Sequence, residues 1–194
     1  VFAGMGGSGT IGDIISSILS KNDIHTSVVK GYSLPKTVDS NTLVVVTSVS
    51  GQTNETLTVL RDSLKLDANV ITFSSGGKIE EVANKNKIPF FKINYTHSPR
   101  ASLLGFLYST LKVLEDLLPI NKTDILESLN LLNKTQMEIN SSNLTDNNPA
   151  LRLAKSIKNI PVIYYPAGLE AAAIRFKNSI QENAKTHIIS ENVI

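Results

Sequence analysis

The sequence predicts an α/β protein in which helices cover both faces of a parallel β-sheet. In the first half of the chain, short apolar β-branched segments alternate with segments whose apolar residues recur at helical spacing. One of these segments, Thr42–Thr47 (TLVVVT), is almost entirely apolar or β-branched, which is typical of a strand buried on both faces.

The first half of the chain contains five predicted strands and three predicted helices. Each strand is a β-branched or aromatic run, and each helix follows a turn rich in glycine or hydroxyl residues. In chain order the elements are the strand Val1–Ala3, the helix Ile11–Leu19, the strands Thr26–Lys30 and Thr42–Thr47, the helix Glu55–Leu64, the strand Asn69–Phe73, the helix Lys78–Asn84 and the strand Ile88–Ile93.

The second half begins with a long amphipathic helix, Ala101–Leu118, because its leucines recur on one face. The pattern is weaker over Lys122–Met137, and Ile139–Pro149 is polar enough to predict a linker. The elements predicted after the linker are the helix Leu151–Ile157, the strand Pro161–Tyr165, the helix Leu169–Ala184 and the strand His187–Ser190.

These elements predict a first subdomain over residues 1–138, a linker over residues 139–149 and the start of a second subdomain over residues 150–194. Two strands are too few for an independent parallel-sheet domain. The chain also begins within a predicted strand and without Met. We therefore expect a fragment that lacks both termini of a longer protein.

Composition excludes several classes of function. The net charge is only +2 and no basic stripe carries interleaved aromatic residues, so nucleic-acid binding is not expected. No apolar run approaches the roughly 18 residues of a membrane span. The absence of Cys excludes thiol chemistry and suits a cytoplasmic protein. His25, His97 and His187 are far apart, so we expect no metal and no other cofactor.

A glycine-rich loop, Gly4–Gly9 (GMGGSG), lies between the first strand and the first helix. It matches the G-x-G-x-x-G pattern of dinucleotide-binding proteins, but the second strand ends at Lys30-Gly31 instead of at an acidic residue, and Asp23 lies before that strand. No Gly-Lys-Ser/Thr follows, as a P-loop would require. A phosphate group at the helix N-terminus is the ligand that this loop favours.

A second turn carries three hydroxyl groups. The segment Ser48–Thr56 (SVSGQTNET) follows the Thr42–Thr47 strand, and Thr53 is placed to cap the next helix. In a parallel sheet this turn and the glycine loop both open at the carboxyl ends of their strands, where ligands bind. The hydroxyls could also be only cap and turn residues, and spacing alone leaves both readings open.

The two loops together resemble the sugar isomerase (SIS) domain, a flavodoxin-like parallel sheet that binds phosphosugars. The segments His97–Phe106 (HSPRASLLGF) and Gly168–Lys185 (GLEAAAIRFKNSIQENAK) are similar to the archaeal and bacterial bifunctional phosphoglucose/phosphomannose isomerases. Those enzymes have two SIS subdomains and act as dimers. The resemblance covers essentially the whole chain, and the four motifs occur in the family's order.

The resemblance implies a function and assigns residues to it. Fructose 6-phosphate would be interconverted with glucose 6-phosphate, mannose 6-phosphate or both, in glycolysis or gluconeogenesis, by a homodimer. Arg100 would stabilise the enediolate and Glu182 would be the base that moves the proton between C1 and C2. The implied phosphate-binding residues are Gly7, Ser8, Ser48, Ser50 and Thr53.

The sequence departs from the family pattern at three points. Val49 stands where Tyr is common, and Gln181 stands where Asn is usual. The histidine that opens the sugar ring in the family belongs to an Asn-His-Asn stretch that would come after Ile194. We therefore expect this polypeptide alone to be weakly active or inactive.

A non-catalytic sensor of sugar phosphates is the alternative interpretation, since SIS domains also occur in regulators. A sensor would keep Ser48, Ser50 and Thr53 but would have no need of Arg100 or Glu182. No helix-turn-helix motif accompanies the chain, which disfavours a transcriptional regulator.

Overall fold

The computed structural model describes residues 1–94 and 97–193 and divides into two compact units, Val1–Leu118 and Pro119–Ile194. The first unit contains a five-stranded sheet, all of whose neighbouring strands are parallel. This confirms the predicted fold class of a parallel sheet with associated helices.

The elements of the first unit follow the predicted order. They are β1 (Phe2–Ala3), α1 (Gly7–Leu19), β2 (Val28–Val29), β3 (Leu43–Ser48), α2 (Asn54–Lys65), β4 (Asn69–Ser74), α3 (Gly77–Lys85), β5 (Phe90–Lys92), a 3-10 helix (Pro99–Ser102) and α4 (Leu103–Val113).

The strands lie in the order β2-β1-β3-β4-β5, which is the flavodoxin-like order. The chain winds in one direction from β1 to β2 and in the other from β3 to β5. The loops that follow β1 and β3 therefore diverge and leave a crevice between them at the carboxyl edge of the sheet.

Helices cover both faces of this sheet. Val46 is fully buried and belongs to a cluster with Leu60 of α2 and Ile79 of α3, so these two helices share one face. On the other face Gly12 of α1 lies against Phe2, and α1 packs against α4. Burial on both faces explains the nearly continuous apolar sequence of β3.

The predicted helix Ala101–Leu118 is partly wrong. A 3-10 helix precedes α4, α4 ends at Val113, and turns follow. Leu114 and Leu118 are nonetheless 3% and 8% exposed. Leucine spacing reports which side chains are buried, and turns can bury them as well as a helix can.

The second unit contains three helices and a two-stranded parallel sheet among its described residues. These elements are α5 (Lys122–Ile139), α6 (Pro149–Ser156), β6 (Val162–Tyr165), α7 (Glu170–Ala184) and β7 (Ile189–Asn192). The side chain of Asn148 caps α6 by accepting hydrogen bonds from the backbone N–H groups of Ala150 and Leu151.

The compact units divide just before α5, whereas the sequence places that helix in the first subdomain. The subdomain limits of residues 1–138 and 150–194 stay a prediction. No helix in the described part of the chain is long and apolar enough to span a membrane.

Candidate functional site

The glycine loop (Gly4–Gly9) and the turn Ser48–Thr56, called here the hydroxyl turn, lie at the carboxyl ends of adjacent strands. β1 pairs directly with β3, with Ala3 opposite Val46, so the segments that follow Ala3 and Ser48 begin side by side. This is the switch point of the flavodoxin-like order, where open α/β sheets bind their ligands. The predicted neighbourhood of the two turns at one edge is thus present in the fold.

Gly4 brings the glycine loop against β3. A Cβ atom at this position would lie 2.9 Å from the backbone oxygen of Thr47 and 2.9 Å from the carbonyl carbon of Ser8. Both neighbours are backbone atoms, so neither could move aside easily. Glycine is therefore required for β1 to pass into α1 while the loop stays in contact with β3.

The N-terminus of α1 is open to a ligand. Gly7 is its first residue, no side chain caps the helix, and its first turn carries no acidic residue. The preceding residue, Gly6, is exposed, and an added Cβ there would meet no described atom within 4 Å. The N–H groups of Ser8, Gly9 and Thr10 donate to the carbonyls of Met5 and Gly6. The positive end of the helix dipole is therefore what favours an anion at this point.

The three hydroxyls of the second turn have different environments. Ser48 is the last residue of β3 and is 2% exposed, and its Oγ lies 3.0 Å from Oγ1 of Thr53. The same Oγ accepts a hydrogen bond of 3.2 Å from the N–H of Gly51. Ser50 is exposed, and its Oγ accepts from the N–H of Gln52 at 3.3 Å.

Thr53 occupies the predicted N-cap position of α2, but its side chain makes no capping hydrogen bond. The prediction of a side-chain cap is therefore wrong. The reason is geometric: the Thr53 hydroxyl is paired with Ser48 across the turn. An N-terminal turn that its side chain leaves uncapped suits anion binding better than a capped one.

The loop that follows β4 supports the hydroxyl turn and was not predicted to do so. Gly51 has φ +65°, and a Cβ there would lie 1.7 Å from the carbonyl oxygen of Gly76. The hydroxyl of Ser75 donates to the carbonyl of Val49 at 2.5 Å. The sequence signal for this role is the run Ser74–Gly77 (SSGG), which follows a buried strand and is rich in serine and glycine like the first two turns.

Arg100 lies in the 3-10 helix that connects β5 to α4. α4, which follows this 3-10 helix, packs against α1. The place of Arg100 at the same edge as the two turns stays a prediction. His97 is exposed nearby in sequence, and residues 95 and 96 lie outside the described part of the chain.

Glu182 is an exposed residue in the last turn of α7, in the second unit. The pairing of Glu182 with Arg100 over one substrate stays a prediction. Its neighbour Gln181 is also exposed.

A half-buried ion pair lies next to α1 and was also missed. Lys30 follows β2, and its Nζ is 2.5 Å from Oδ2 of Asp13. A Cβ at Gly9 would meet the Lys30 side chain at 3.0 Å, so the lysine lies across the first turns of α1. In the sequence Lys30 argues only against a dinucleotide site, because its pairing with Asp13 depends on a strand order that the sequence does not specify.

A cavity of about 390 Å³ opens at the opposite, amino-terminal edge of the first unit's sheet. Its lining includes Phe2, Leu43, Val45 and Leu114 and contains none of the predicted site residues. In the described part of the chain, no three His, Asp or Glu side chains form a group that could hold a metal ion.

Three kinds of comparison relate the chain to known proteins. Residues 146–194 match the family described as the bacterial phospho-glucose isomerase C-terminal SIS domain. The bifunctional phosphoglucose/phosphomannose isomerase of Thermoplasma acidophilum is 33% identical over 95% of this chain and 55% of its own length. The enzyme of the same name from Caldicellulosiruptor bescii is 34% identical over 96% of this chain and 56% of its own length.

Other similar proteins bear different names. The D-glucosamine-6-phosphate 4-epimerase of Sulfolobus acidocaldarius is 28% identical over 95% of this chain and 56% of its own length. The structure of tagatose-6-phosphate ketose/aldose isomerase from Escherichia coli has a TM-score of 0.66 and 16% identity, and the alignment covers 98% of this chain and 55% of that one. At that identity the likeness supports the fold alone.

The chain spans about half the length of the curated relatives that it matches. The resemblance predicted from the four motifs is confirmed, since the similarity extends over 95% of the chain. The chain is therefore a relative, along almost its whole length, of the SIS-domain bifunctional phosphoglucose/phosphomannose isomerases.

Proposed function

We propose that this protein is a sugar-phosphate isomerase that interconverts fructose 6-phosphate with glucose 6-phosphate, mannose 6-phosphate or both. One observation carries the proposal: the open N-terminus of α1 and the hydroxyl turn of β3 lie on adjacent strands at the switch point of the sheet. An oxyanion is the ligand that both features favour.

The phosphate group of the substrate would be bound by these two segments together. The backbone N–H groups at Gly7 and Ser8 would donate from one side, the second of them by leaving the Met5 carbonyl to which it now donates at 3.0 Å. Ser48, Ser50 and Thr53 would line the other side, where one of the Ser48 and Thr53 hydroxyls donates to the other and leaves the second free to donate to the phosphate. Hydroxyl and amide donors are enough for a phosphomonoester, because the helix dipole supplies favourable electrostatics without a lysine.

The isomerisation needs one base and one cation. In the open-chain aldose, the Glu182 carboxylate would take the proton from C2, whose electron pair forms the C1=C2 double bond of an enediolate while the carbonyl pair moves onto O1. The proton on O2 then moves to O1, and return of the carbon-bound proton from Glu182 to C1 gives the ketose with its carbonyl at C2. The reverse steps regenerate the aldose or its C2 epimer. The Arg100 guanidinium would stabilise the negative charge on the enediolate oxygens.

The substitution Glu182→Gln in the full-length protein tests this assignment. We expect turnover of fructose 6-phosphate to fall by roughly 10²- to 10⁴-fold, because glutamine cannot accept the proton. Glu170→Gln, at the other end of the same helix, is the matched control and should leave turnover nearly unchanged. If Glu182→Gln retains turnover within about twofold of wild type, Glu182 is not the base.

A different reaction on a different phosphosugar at the same site is the second candidate, because a 28% identical relative is named D-glucosamine-6-phosphate 4-epimerase. Calorimetry combined with product analysis separates the candidates. An isomerase converts fructose 6-phosphate into a mixture of hexose phosphates, whereas an epimerase would convert glucosamine 6-phosphate instead. A non-catalytic sensor would bind a phosphosugar and release it unchanged.

Three further properties belong to the same proposal. A homodimer, a cytoplasmic location and a role in glycolysis or gluconeogenesis stay predictions. Sedimentation of the full-length protein measures the first of them directly, and a monomer at the enzyme's working concentration would contradict it.

A further inference from the structure

Thr56 carries a buried hydroxyl that lacks a hydrogen-bond partner among the described residues. It lies in the first turn of α2 and is 1% exposed. Two other hydroxyl residues of the same helix behave differently: Thr58 donates to Asn54 at 2.9 Å and Ser63 donates to Val59 at 2.8 Å. A buried, unpaired hydroxyl is uncommon and costs folding free energy, so its presence calls for an explanation.

The missing bond has a local cause. Thr58 and Ser63 donate to carbonyls four residues earlier, within α2. The corresponding carbonyl for Thr56 belongs to Gln52, which lies before the N-cap residue Thr53, outside the helix. The carbonyl three residues earlier belongs to Thr53 and accepts from the N–H of Leu57, and the Thr56 hydroxyl makes no bond to it. Valine, which has the same shape, would need no partner.

Thr56 lies at the buried start of α2, one turn before Leu60, which packs with β3, and Val59, which packs with β1. Val59, one turn further along the same face of α2, is buried in a cluster with Ala3 and Val29. Because α2 begins at the carboxyl edge of the sheet, Thr56 is one turn closer to that edge than Val59. The residue that follows Ala3 at that edge is Gly4, the start of the loop that leads to α1.

A neighbouring residue supports this placement. Glu55 interacts with Tyr32, which follows β2, and its negative charge raises the pKa of the tyrosine hydroxyl. The first turn of α2 therefore lies near the loop that follows β2.

We propose that Thr56 is a positioning residue of the phosphate site, whose hydroxyl gains its hydrogen-bond partner in the Gly4–Gly7 segment when a phosphate binds at α1. This inference rests on the proposed function. Gly6 has φ +53° and open space around it, so the segment has room to adjust when an anion draws its N–H groups outward. The unpaired hydroxyl then disfavours the free form of the loop and favours the bound form.

The test compares Thr56→Val and Thr56→Ser in the full-length protein. The dissociation constant of fructose 6-phosphate is measured by calorimetry, and thermal unfolding is recorded with and without that ligand. We expect Thr56→Val to bind about tenfold more weakly, the equivalent of one ordinary hydrogen bond, with KM raised and kcat nearly unchanged. Thr56→Ser should restore binding because it keeps the hydroxyl.

Stability without ligand distinguishes positioning from a purely structural role. We expect the unfolding temperature of ligand-free Thr56→Val to equal or exceed that of wild type, because the valine leaves no unpaired polar atom. Thr58→Val is the matched control, since it removes a hydroxyl that is already paired in the same helix. It should leave the dissociation constant unchanged.

Three results would overturn the inference. If the wild-type protein binds fructose 6-phosphate and Thr56→Val binds it with a dissociation constant within twofold, Thr56 has no role in the site. The proposed function would not be affected by that result. If ligand-free Thr56→Val is markedly destabilised or fails to fold, the hydroxyl already has a partner. If the wild-type protein binds no fructose 6-phosphate, the proposed function and this inference fail together.

Discussion

The two compact units use similar local patterns but bury them to very different extents. In the first unit, Val44, Val46 and Leu60 are completely excluded from solvent. In the second unit, the 18-residue helix α5 contains no buried residue, and neither does α6. Leu131 and Met137 of α5 are 62% and 66% exposed.

This difference shows what makes an amphipathic segment part of a core. A helix in the first unit packs on a five-stranded sheet that is long enough to cover its apolar face. Among its described residues, the second unit offers a sheet of two strands, β6 and β7. The spacing of apolar residues predicts a helix in both units, but burial depends on the area of the partner surface.

The largest contrast should appear when a leucine is shortened in each unit. We expect Leu60→Ala to lower the free energy of unfolding by about 2–5 kcal/mol, because it opens a cavity in a filled core. We expect Leu131→Ala to change it by no more than about 0.5 kcal/mol, since that side chain is mostly exposed. Urea unfolding followed by circular dichroism measures both.

An equal loss of unfolding free energy in the two leucine variants would contradict the comparison. Such a result would mean that α5 buries its leucines in solution against a surface that the described residues do not provide. A difference of several kcal/mol between the two variants would support the comparison, provided that the dependence of the unfolding free energy on urea concentration is the same in both.

Helix caps provide a contrast of intermediate size. Asn148 accepts two backbone hydrogen bonds at the start of α6, whereas Thr53 accepts none at the start of α2. We expect Asn148→Ala to cost about 1–2 kcal/mol of stability. Thr53→Ala should cost about 1 kcal/mol or less and weaken phosphosugar binding instead.

Urea unfolding and calorimetry with fructose 6-phosphate together measure the two cap variants. The contrast fails if Thr53→Ala is the more destabilising of the two, or if it binds fructose 6-phosphate as tightly as wild type. Either outcome would make Thr53 an ordinary structural residue.

The smallest contrast concerns two tyrosines with raised pKa values. Charge from Glu55 is the main cause for Tyr32 in the first unit, while burial is the main cause for Tyr165 in the second, followed by Glu170 and Glu191. We expect about 1 M salt to lower the pKa of Tyr32 more than that of Tyr165, because salt screens charge but not burial.

Ultraviolet absorbance titration measures this effect, with Tyr32→Phe and Tyr165→Phe used to assign the signals. A raised pKa in the folded state means that the tyrosine hydroxyl keeps its proton to a higher pH in the folded protein than in the unfolded chain. Each tyrosine therefore adds stability below its ordinary pKa of 10.0, and this stability is lost as the pH rises through the folded value. Equal responses to salt would show that the two environments do not differ in the way proposed.

Much of the fold could be predicted because the signals are local. The apolar run at β3 and the glycine loop before α1 each identify an element from a few adjacent residues. The prediction was wrong where tertiary contacts replace local pattern, as at Leu114 and Leu118, which are buried in turns.

The site was predicted in the same uneven way. The hydroxyl turn could be recognised from composition, whereas the pairing of Ser48 with Thr53 could not, because two hydroxyls five residues apart can each bond elsewhere. Thr56 gave no signal, since a threonine in a helix is ordinary until its partner is missing.

The sequence by itself determined the α/β class, the order of the elements and the two turns suited to an oxyanion. These follow from periodicity and residue type, which act over a few residues. Only the tertiary structure decided that β1 and β3 are neighbours, that Gly4 must pass beside the Thr47 carbonyl, and which hydroxyls are already paired. Those facts depend on strand order and close packing between segments distant in sequence, which no local pattern encodes.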